Sequence, residues 1–113
     1  MDFSYDDIVR IANENNLKIV RGVYLSPKKD QACAISIIAI GILGVEGFDK
    51  ICEDFFVSSA FIAEKIGMDF NKLDGLQDGY EGWEWSDNEN DNEDYLRYKA
   101  IGERLAIDYP DQV

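Results

Sequence analysis

Three carboxylates have a spacing that suits acid–base chemistry: Asp74, Asp78 and Glu81 are separated by four and three residues. On a helix this spacing places side chains on one face. A hydrolase that works with paired carboxylates needs such groups, but it also needs a cleft that shifts their pKa values. Exposed like charges are the simpler interpretation, so we expect these three side chains to be exposed.

The acidic segment SDNENDNED has the composition of a cation site. An EF-hand loop requires oxygen ligands at alternating positions, Gly at the sixth position and Glu at the twelfth. If the loop starts at Asp87, the ligands Glu89 and Asp91 fit, but Asn92 and Tyr98 stand at the Gly and Glu positions. The segment is therefore predicted to be a polar connector with no defined metal site, and loose attraction of divalent cations is the alternative.

The chain contains no histidine, the side chain that most often performs acid–base catalysis near neutral pH. Ser58 and Ser59 precede a predicted helix and lack the strained strand-to-helix turn of a nucleophilic serine. The sequence thus argues against an enzyme and predicts no catalytic residue and no cofactor. A metal-dependent enzyme is kept as an alternative.

The net charge of -12 is unevenly distributed. Residues 69–94 contain ten acids and one base, Lys72. Such a field repels phosphate backbones and anionic lipids, which proteins normally bind through Lys and Arg. The charge pattern therefore disfavours direct binding to nucleic acid or to a membrane, and it favours a protein partner with a basic surface.

The leading hypothesis is a cytoplasmic protein-interaction or regulatory domain that binds this partner through an acidic face. The charges would steer the partner and a tryptophan would anchor it. A DNA mimic that blocks a nucleic-acid-binding protein is the first alternative. No oligomeric state is indicated. The predicted face consists of Asp74, Asp78, Glu81, Glu84, Trp85, Asp87, Glu89 and Asp91.

The length of 113 residues and the hydrophobic content of 46% suffice for one core. Residues 1–113 are therefore predicted to form a single compact domain. The N-terminal sequence MDFSYDDIVR lacks the basic and apolar regions of a signal peptide, which favours a cytoplasmic location. Cys33 and Cys52 lie in apolar surroundings without a redox or zinc spacing, so both are predicted to be buried, reduced thiols.

The hydrophobic pattern predicts a mainly α fold of about five helices, with room for one short β-strand pair near residues 17–25. A first helix is predicted over residues 4–15, capped by its serine. The apolar run 32–43 would be about 18 Å long as a helix, which is short of the roughly 30 Å of a bilayer core. It is predicted to be a buried central helix, followed by a turn at 44–50 and a short helical piece at 51–56.

Two short helices are predicted on either side of Gly67, and a last helix over residues 92–107. The first of the pair is capped by Ser58 or Ser59, and the second begins near Asp69. Their spacing matches a helix-turn-helix. The second helix, FNKLDGLQDG, offers one lysine against two aspartates, whereas a DNA reader needs hydrogen-bond donors. The motif is therefore predicted to be structural and not to read DNA.

The aromatic segment that follows, GYEGW, is predicted to close the core. Gly79 would end the helix, Gly82 would let the backbone turn, and Tyr80 and Trp83 would point inward. Near the C-terminus, Pro110 would end the ordered chain.

The segments RGVYLSPKKDQACAISIIAIG, LDGLQDGYEGW and YLRYKAIGERLA occur in this order. Together they resemble a group of small, uncharacterised bacterial proteins, including cyanobacterial ones. Those proteins join a Cys-containing apolar helix to a Gly-(Phe/Tyr)-x-Gly segment and to a final helix with a Tyr-x-x-x-Gly pattern. The resemblance implies a mostly helical single domain and brings no activity, cofactor or catalytic residue. The matching residues are Cys33, Gly79, Tyr80, Gly82, Trp83 and Gly102.

Overall fold

The computed structural model describes residues 2–53, 57–82 and 91–112. In these ranges the chain forms five α-helices and one short two-stranded parallel sheet, which confirms the predicted compact, mainly α fold. The elements in chain order are α1 (Tyr5–Glu14), β1 (Lys18–Ile19), β2 (Gln31–Ala32), α2 (Ala34–Cys52), α3 (Ser59–Ile66), α4 (Phe70–Glu81) and α5 (Glu93–Asp108).

Helix α1 begins where the sequence predicts, because Ser4 and Asp7 form a capping box. Ser4 Oγ accepts a hydrogen bond from the Asp7 amide at 3.1 Å, and the Asp7 carboxylate accepts one from the Ser4 amide at 2.9 Å. Two amides at the start of the helix are thereby satisfied. The buried side chains of Ile8 and Ile11 lie in the common core, and the helix packs against α2.

The strand pair was predicted near residues 17–25, but only its first strand lies there. Strand β1 lies within the predicted region, but it pairs in parallel with β2, which lies beyond residue 25. The intervening loop folds back around Ser26, whose Oγ accepts hydrogen bonds from the Asp30 and Gln31 amides at 3.2 and 3.1 Å. That side chain is buried and also donates to the Asp30 carboxylate at 2.9 Å. A single serine thus fixes the register that brings the two strands together.

The C-terminal segment stays ordered past Pro110, so the prediction that this proline ends the ordered chain is wrong. The Arg21 amide donates to the Asp111 carbonyl at 2.9 Å, and Arg21 forms a β-bridge with Gln112. The Lys18 ammonium lies 2.8 Å from the Asp111 carboxylate. These contacts hold the end of the chain next to β1.

Helix α2 confirms the predicted central helix, but not its bounds. It begins at Ala34 and not at residue 32, because Ala32 belongs to β2 and Cys33 is the N-cap, and it continues further than predicted. Only Gly44 leaves helical geometry, with φ 78° and ψ 165°, a region that glycine adopts without strain. The predicted turn at 44–50 is therefore a kink at one residue, and the helix continues to Cys52 because the fully buried Phe48 fixes its second half in the core. Of the predicted helical piece at 51–56, residues 54–56 lie outside the described ranges. No helix within those ranges combines the length and apolar character of a membrane span.

The helix pair α3 and α4 meets at Gly67 as predicted. Ser58 Oγ caps α3 by accepting from the Phe61 amide at 3.2 Å, and Asp69 caps α4 by accepting from the Asn71 amide at 2.8 Å. Gly67 ends α3 in the left-handed conformation. The pair buries six side chains in the core: Ile62, Ala63, Ile66, Met68, Leu73 and Leu76.

Helix α4 continues through Gly79 and ends at Glu81, with Gly82 as its left-handed cap. The prediction that Gly79 ends the helix is wrong, because Gly79 serves a different purpose. A Cβ atom at this position would lie 2.2 Å from the Lys99 carbonyl oxygen of α5. The glycine is therefore the contact point of two helix backbones.

Helices α4 and α5 pack at backbone-to-backbone distance through three glycines. A Cβ on Gly75 would lie 2.2 Å from the Tyr95 carbonyl oxygen, and one on Gly102 would lie 2.5 Å from the Leu76 carbonyl oxygen. The contact moves from Tyr95 to Lys99 as it moves from Gly75 to Gly79, so the two helices run in the same direction. The absence of a side chain at Gly102 thus leaves the space that α4 occupies.

Two tyrosines complete the core around this pair. Tyr80 points inward as predicted and donates from its hydroxyl to the Tyr109 carbonyl at 2.9 Å. The buried Tyr98 accepts a hydrogen bond from the Phe3 amide at 2.7 Å. The prediction for Trp83 lies outside the described residues.

Candidate functional site

The predicted acidic face is divided in the structure. Asp74, Asp78 and Glu81 lie on α4, and Asp91 is exposed shortly before α5. The three side chains on α4 are half-buried, so the prediction that they are exposed is wrong. The other four residues of the face fall outside the described ranges: Glu84, Trp85, Asp87 and Glu89.

Lys72, the single base of the acidic stretch, does not neutralise the carboxylates of α4. Its side chain is 13% exposed, and its ammonium lies 2.8 Å from the Asp2 carboxylate. This hydrogen bond raises the pKa of Lys72. Arg97 contacts the same Asp2 carboxylate at 3.1 Å, and together the two bases hold the pKa of Asp2 well below its usual range. Lys72 thus faces the N-terminal segment, while Arg97 also lies 2.7 Å from the Asp94 carboxylate and connects that segment to the start of α5.

Asp74 and Asp78 form a pair of carboxylates one helical turn apart on α4. Asp78 accepts a hydrogen bond from the Tyr95 hydroxyl at 2.6 Å. Burial, reinforced by the negative charge of Asp78, raises the pKa of Asp74. Neither carboxylate forms an ion pair with a described basic residue. The described basic residues therefore do not neutralise the negative charge of Asp74 and Asp78.

Glu81 lies in a different environment, at a cavity of about 90 Å³ beside the last turn of α4. This volume is several times the roughly 10–15 Å³ that one water molecule needs. The cavity is mainly apolar, and it is bounded by the loop after β1, the start of α2 and the end of α4. Its walls are Gly22, Val23, Tyr24, Cys33, Gln77 and Glu81.

The Glu81 carboxylate is only partly satisfied. One oxygen, Oε1, accepts a hydrogen bond from the Gly22 amide at 3.3 Å, and no described residue donates to the other. Burial raises the pKa of Glu81, while the Gly22 amide and the charge of Arg21 oppose this shift. Arg21 forms no ion pair with Glu81, because its guanidinium donates to the Ala106 carbonyl at 3.4 Å and lies over the Tyr80 ring at 5.6 Å.

The two cysteines differ in exposure, and both are free. The prediction of a buried reduced thiol is confirmed for Cys33, which is 4% exposed at the start of α2, with its sulfur 3.2 Å from Ser36 Oγ. It is wrong for Cys52, which is half-buried near the end of α2. Burial raises the pKa of Cys33 to about 11. Because a neutral thiol is a weak nucleophile, Cys33 is a wall of the cavity and not an activated group.

Comparison with known proteins gives no assignment. No protein-family model matches the chain, and no curated protein or solved structure is significantly similar to it. The resemblance to small bacterial proteins therefore stays a prediction. In the parts of the chain that the structure describes, no cluster of three His, Cys, Asp or Glu side chains is arranged to hold a metal ion.

The cavity itself is absent from the sequence-based predictions. Cys33 was predicted only as a core thiol and Glu81 only as part of the acidic face, while Tyr24 and Gln77 were not selected. One local signal was present in the sequence, a glycine at position 22 among β-branched and aromatic residues, and this glycine adopts φ 83° in the structure. The meeting of a loop, a helix start and a helix end has no signature in the sequence.

The exposure of the two thiols predicts their order of alkylation. With iodoacetamide at neutral to mildly alkaline pH, we expect Cys52 to be modified in the folded protein and Cys33 only after unfolding. Intact-mass measurement and peptide mapping would show this, with Cys52→Ala as the control that should remain unmodified. Modification of Cys33 in the folded Cys52→Ala protein would contradict the buried, protonated thiol.

Ionisation of the Cys33 thiol should lower the free energy of unfolding at alkaline pH. The pKa of Cys33 is about 11 in the folded state against an ordinary value of 9.0, so the unfolded chain loses this proton first. Its contribution to stability is therefore fully present below pH 9 and is lost as the pH rises toward 11. Urea unfolding across this range should show a smaller alkaline loss in Cys33→Ala than in the wild type.

Proposed function

We propose that the protein is a protein-interaction or regulatory domain that binds a partner with a basic surface through an acidic face built on α4. The observation that carries the proposal is the position of Lys72. This only base of the acidic stretch is committed to Asp2, while Asp74 and Asp78 have no ion pair with a described basic residue. The domain therefore presents negative charge that its own described bases leave uncompensated.

Half-buried carboxylates favour a cationic partner for a physical reason. Removing a carboxylate from water costs free energy unless a positive charge or hydrogen-bond donors replace the lost hydration. Asp74 shows this cost as a raised pKa. A basic surface that docks on α4 would supply the missing positive charge, and the net charge of -12 would accelerate its approach.

The same electrostatics decide which other partners we propose or exclude. The acidic face disfavours direct binding to DNA, RNA or anionic lipid, so the helix pair α3 and α4 serves as a structural unit and not as a DNA reader. We place this function in the cytoplasm, where the protein would meet its partner. A DNA mimic is the special case in which the partner is a nucleic-acid-binding protein.

The test compares two variants with the same change in net charge. The face variant carries Asp74→Asn, Asp78→Asn and Asp91→Asn. The control carries Asp6→Asn, Glu46→Gln and Glu64→Gln, which remove three exposed acids that have no described ion pair. A partner is identified by affinity capture and mass spectrometry, purified, and titrated calorimetrically into each protein at low and high salt.

We expect the face variant to bind about tenfold more weakly than the wild type at low salt, because three charge contacts contribute a few tenths to one kcal/mol each. The control should stay within about twofold, and salt should weaken the wild type most. Equal binding by the two variants would contradict the acidic face. Displacement of the partner by duplex DNA would identify a mimic, whereas direct binding of DNA to the wild type would overturn the proposal.

A further inference from the structure

We propose that the cavity at the end of α4 is a socket for a lysine side chain of the basic partner, with Glu81 as its counter-charge. This inference rests on the proposed function, because the acidic face would bring the lysine to the cavity. It assigns to Glu81 a role separate from the two aspartates of α4. It also gives the loop Gly22–Tyr24 a function as one wall of the binding site.

The composition of the cavity matches the two parts of a lysine side chain. Val23, the Tyr24 ring and the neutral Cys33 provide apolar surface for the four methylene groups. Glu81 provides the negative charge, and Gln77, whose side chain hydrogen-bonds Tyr24, provides one amide oxygen as a further acceptor for an ammonium group with three donors. Burial of such a chain would compensate the half-buried carboxylate and cover the apolar wall at the same time.

The hydrogen bonding of Glu81 favours lysine over arginine. Arginine binds a carboxylate best through two parallel hydrogen bonds to its two oxygens. One oxygen of Glu81 already accepts from the Gly22 amide, so an arginine fork would have to share that oxygen with the amide, whereas the other oxygen has no described donor. An ammonium group makes a point contact and needs only that oxygen. Arg21 does not fill this role, since it is held by the Ala106 carbonyl and the Tyr80 ring and does not line the cavity.

The experiment uses the full chain and short capped peptides. The probe is a pentapeptide with one central lysine flanked by glycines, and its counterparts carry acetyl-lysine, norleucine or arginine at that position. Binding is followed by NMR through the backbone amides of Gly22, Val23, Tyr24 and Gln77. An octalysine peptide is titrated in parallel as a probe of the acidic face as a whole.

We expect the lysine peptide to shift these amides and to bind about tenfold more weakly to Glu81→Gln, because a hydrogen bond between two charged groups is lost. Glu64→Gln, which removes one exposed acid on α3, should bind as the wild type does. In the wild type, saturation with the lysine peptide should lower the pKa of the Glu81 carboxyl. This pKa measurement uses only the wild type, so it tests the proposal even if Glu81→Gln does not fold.

The outcomes separate this inference from the proposed function. If octalysine binds but leaves the cavity amides unmoved and is indifferent to Glu81→Gln, the socket is wrong and the acidic face stands. If the norleucine, acetyl-lysine or arginine peptide binds as tightly as the lysine peptide, lysine recognition by Glu81 is wrong. If neither octalysine nor the lysine peptide binds, both proposals fail.

Discussion

Gly79→Ala should lower the stability of the domain by about 2 kcal/mol, although alanine is the better helix former. Inside an ordinary helix this change gains about 1 kcal/mol, because glycine loses more conformational freedom on folding. Here the added Cβ would lie 2.2 Å from the Lys99 carbonyl oxygen and 3.0 Å from the Glu103 amide, so α4 and α5 must separate. Overpacking of this kind typically costs about 1 to 3 kcal/mol, and occasionally more.

The measurement is thermal and urea unfolding beside a control on the facing helix. Ala100→Gly removes a methyl group from an exposed position of α5 and reports the intrinsic helix preference, a loss of about 1 kcal/mol. For a domain of this size, the Gly79→Ala loss corresponds to a fall in Tm of about 10 °C. An unchanged or higher Tm for Gly79→Ala would show that the two backbones are not in contact.

Ile38→Asp should prevent folding. Ile38 is fully buried in α2, so the substitution removes a core side chain at a cost of about 2 to 5 kcal/mol. It also places a carboxylate where no counter-charge is available, which adds several kcal/mol. The sum is comparable with the whole stability of a small domain, about 5 to 15 kcal/mol.

Solubility, circular dichroism and urea unfolding check this result against Ile38→Val. The valine variant keeps the apolar character of the site and should remain folded, with a loss of about 0.5 to 1.5 kcal/mol. A soluble Ile38→Asp protein that unfolds cooperatively would mean that α2 is not the buried centre of the fold.

The starts of four of the five described helices could be predicted because their causes are local. Helix α2 is the exception, since its N-cap Cys33 makes no capping hydrogen bond and the helix begins two residues later than predicted. Ser4, Ser58, Asp69 and Asn92 each accept a hydrogen bond from an amide two or three residues later, and such capping depends only on neighbours in the sequence. The ends of helices were less predictable. Gly79 has the local character of a helix end, and only the close approach of α5, twenty residues further on, explains why the helix continues.

The candidate site could be predicted only in part, for the same reason. The acids of α4 are visible in the sequence, but their burial and the engagement of Lys72 are not. The ion pair between Lys72 and Asp2 joins residues 70 positions apart in the chain, and the cavity joins a loop, α2 and α4. Neither arrangement has a sequence period or spacing. Strand β2 was missed because its pairing depends on the Ser26 turn and not on a hydrophobic run.

The glycine contacts between α4 and α5 have a consequence for cooperativity. Dispersion forces fall steeply with distance, so two backbones that meet through Gly75, Gly79 and Gly102 gain little until they are fully docked. Partial separation therefore forfeits most of the attraction, and the pair opens as one cooperative unit. Asp78 of α4 accepts a hydrogen bond from the Tyr95 hydroxyl of α5, and it acquires this partner only when α5 is docked. The hydrogen bonding of this carboxylate is thus a property of the assembled helix pair, and it is lost when α4 and α5 separate.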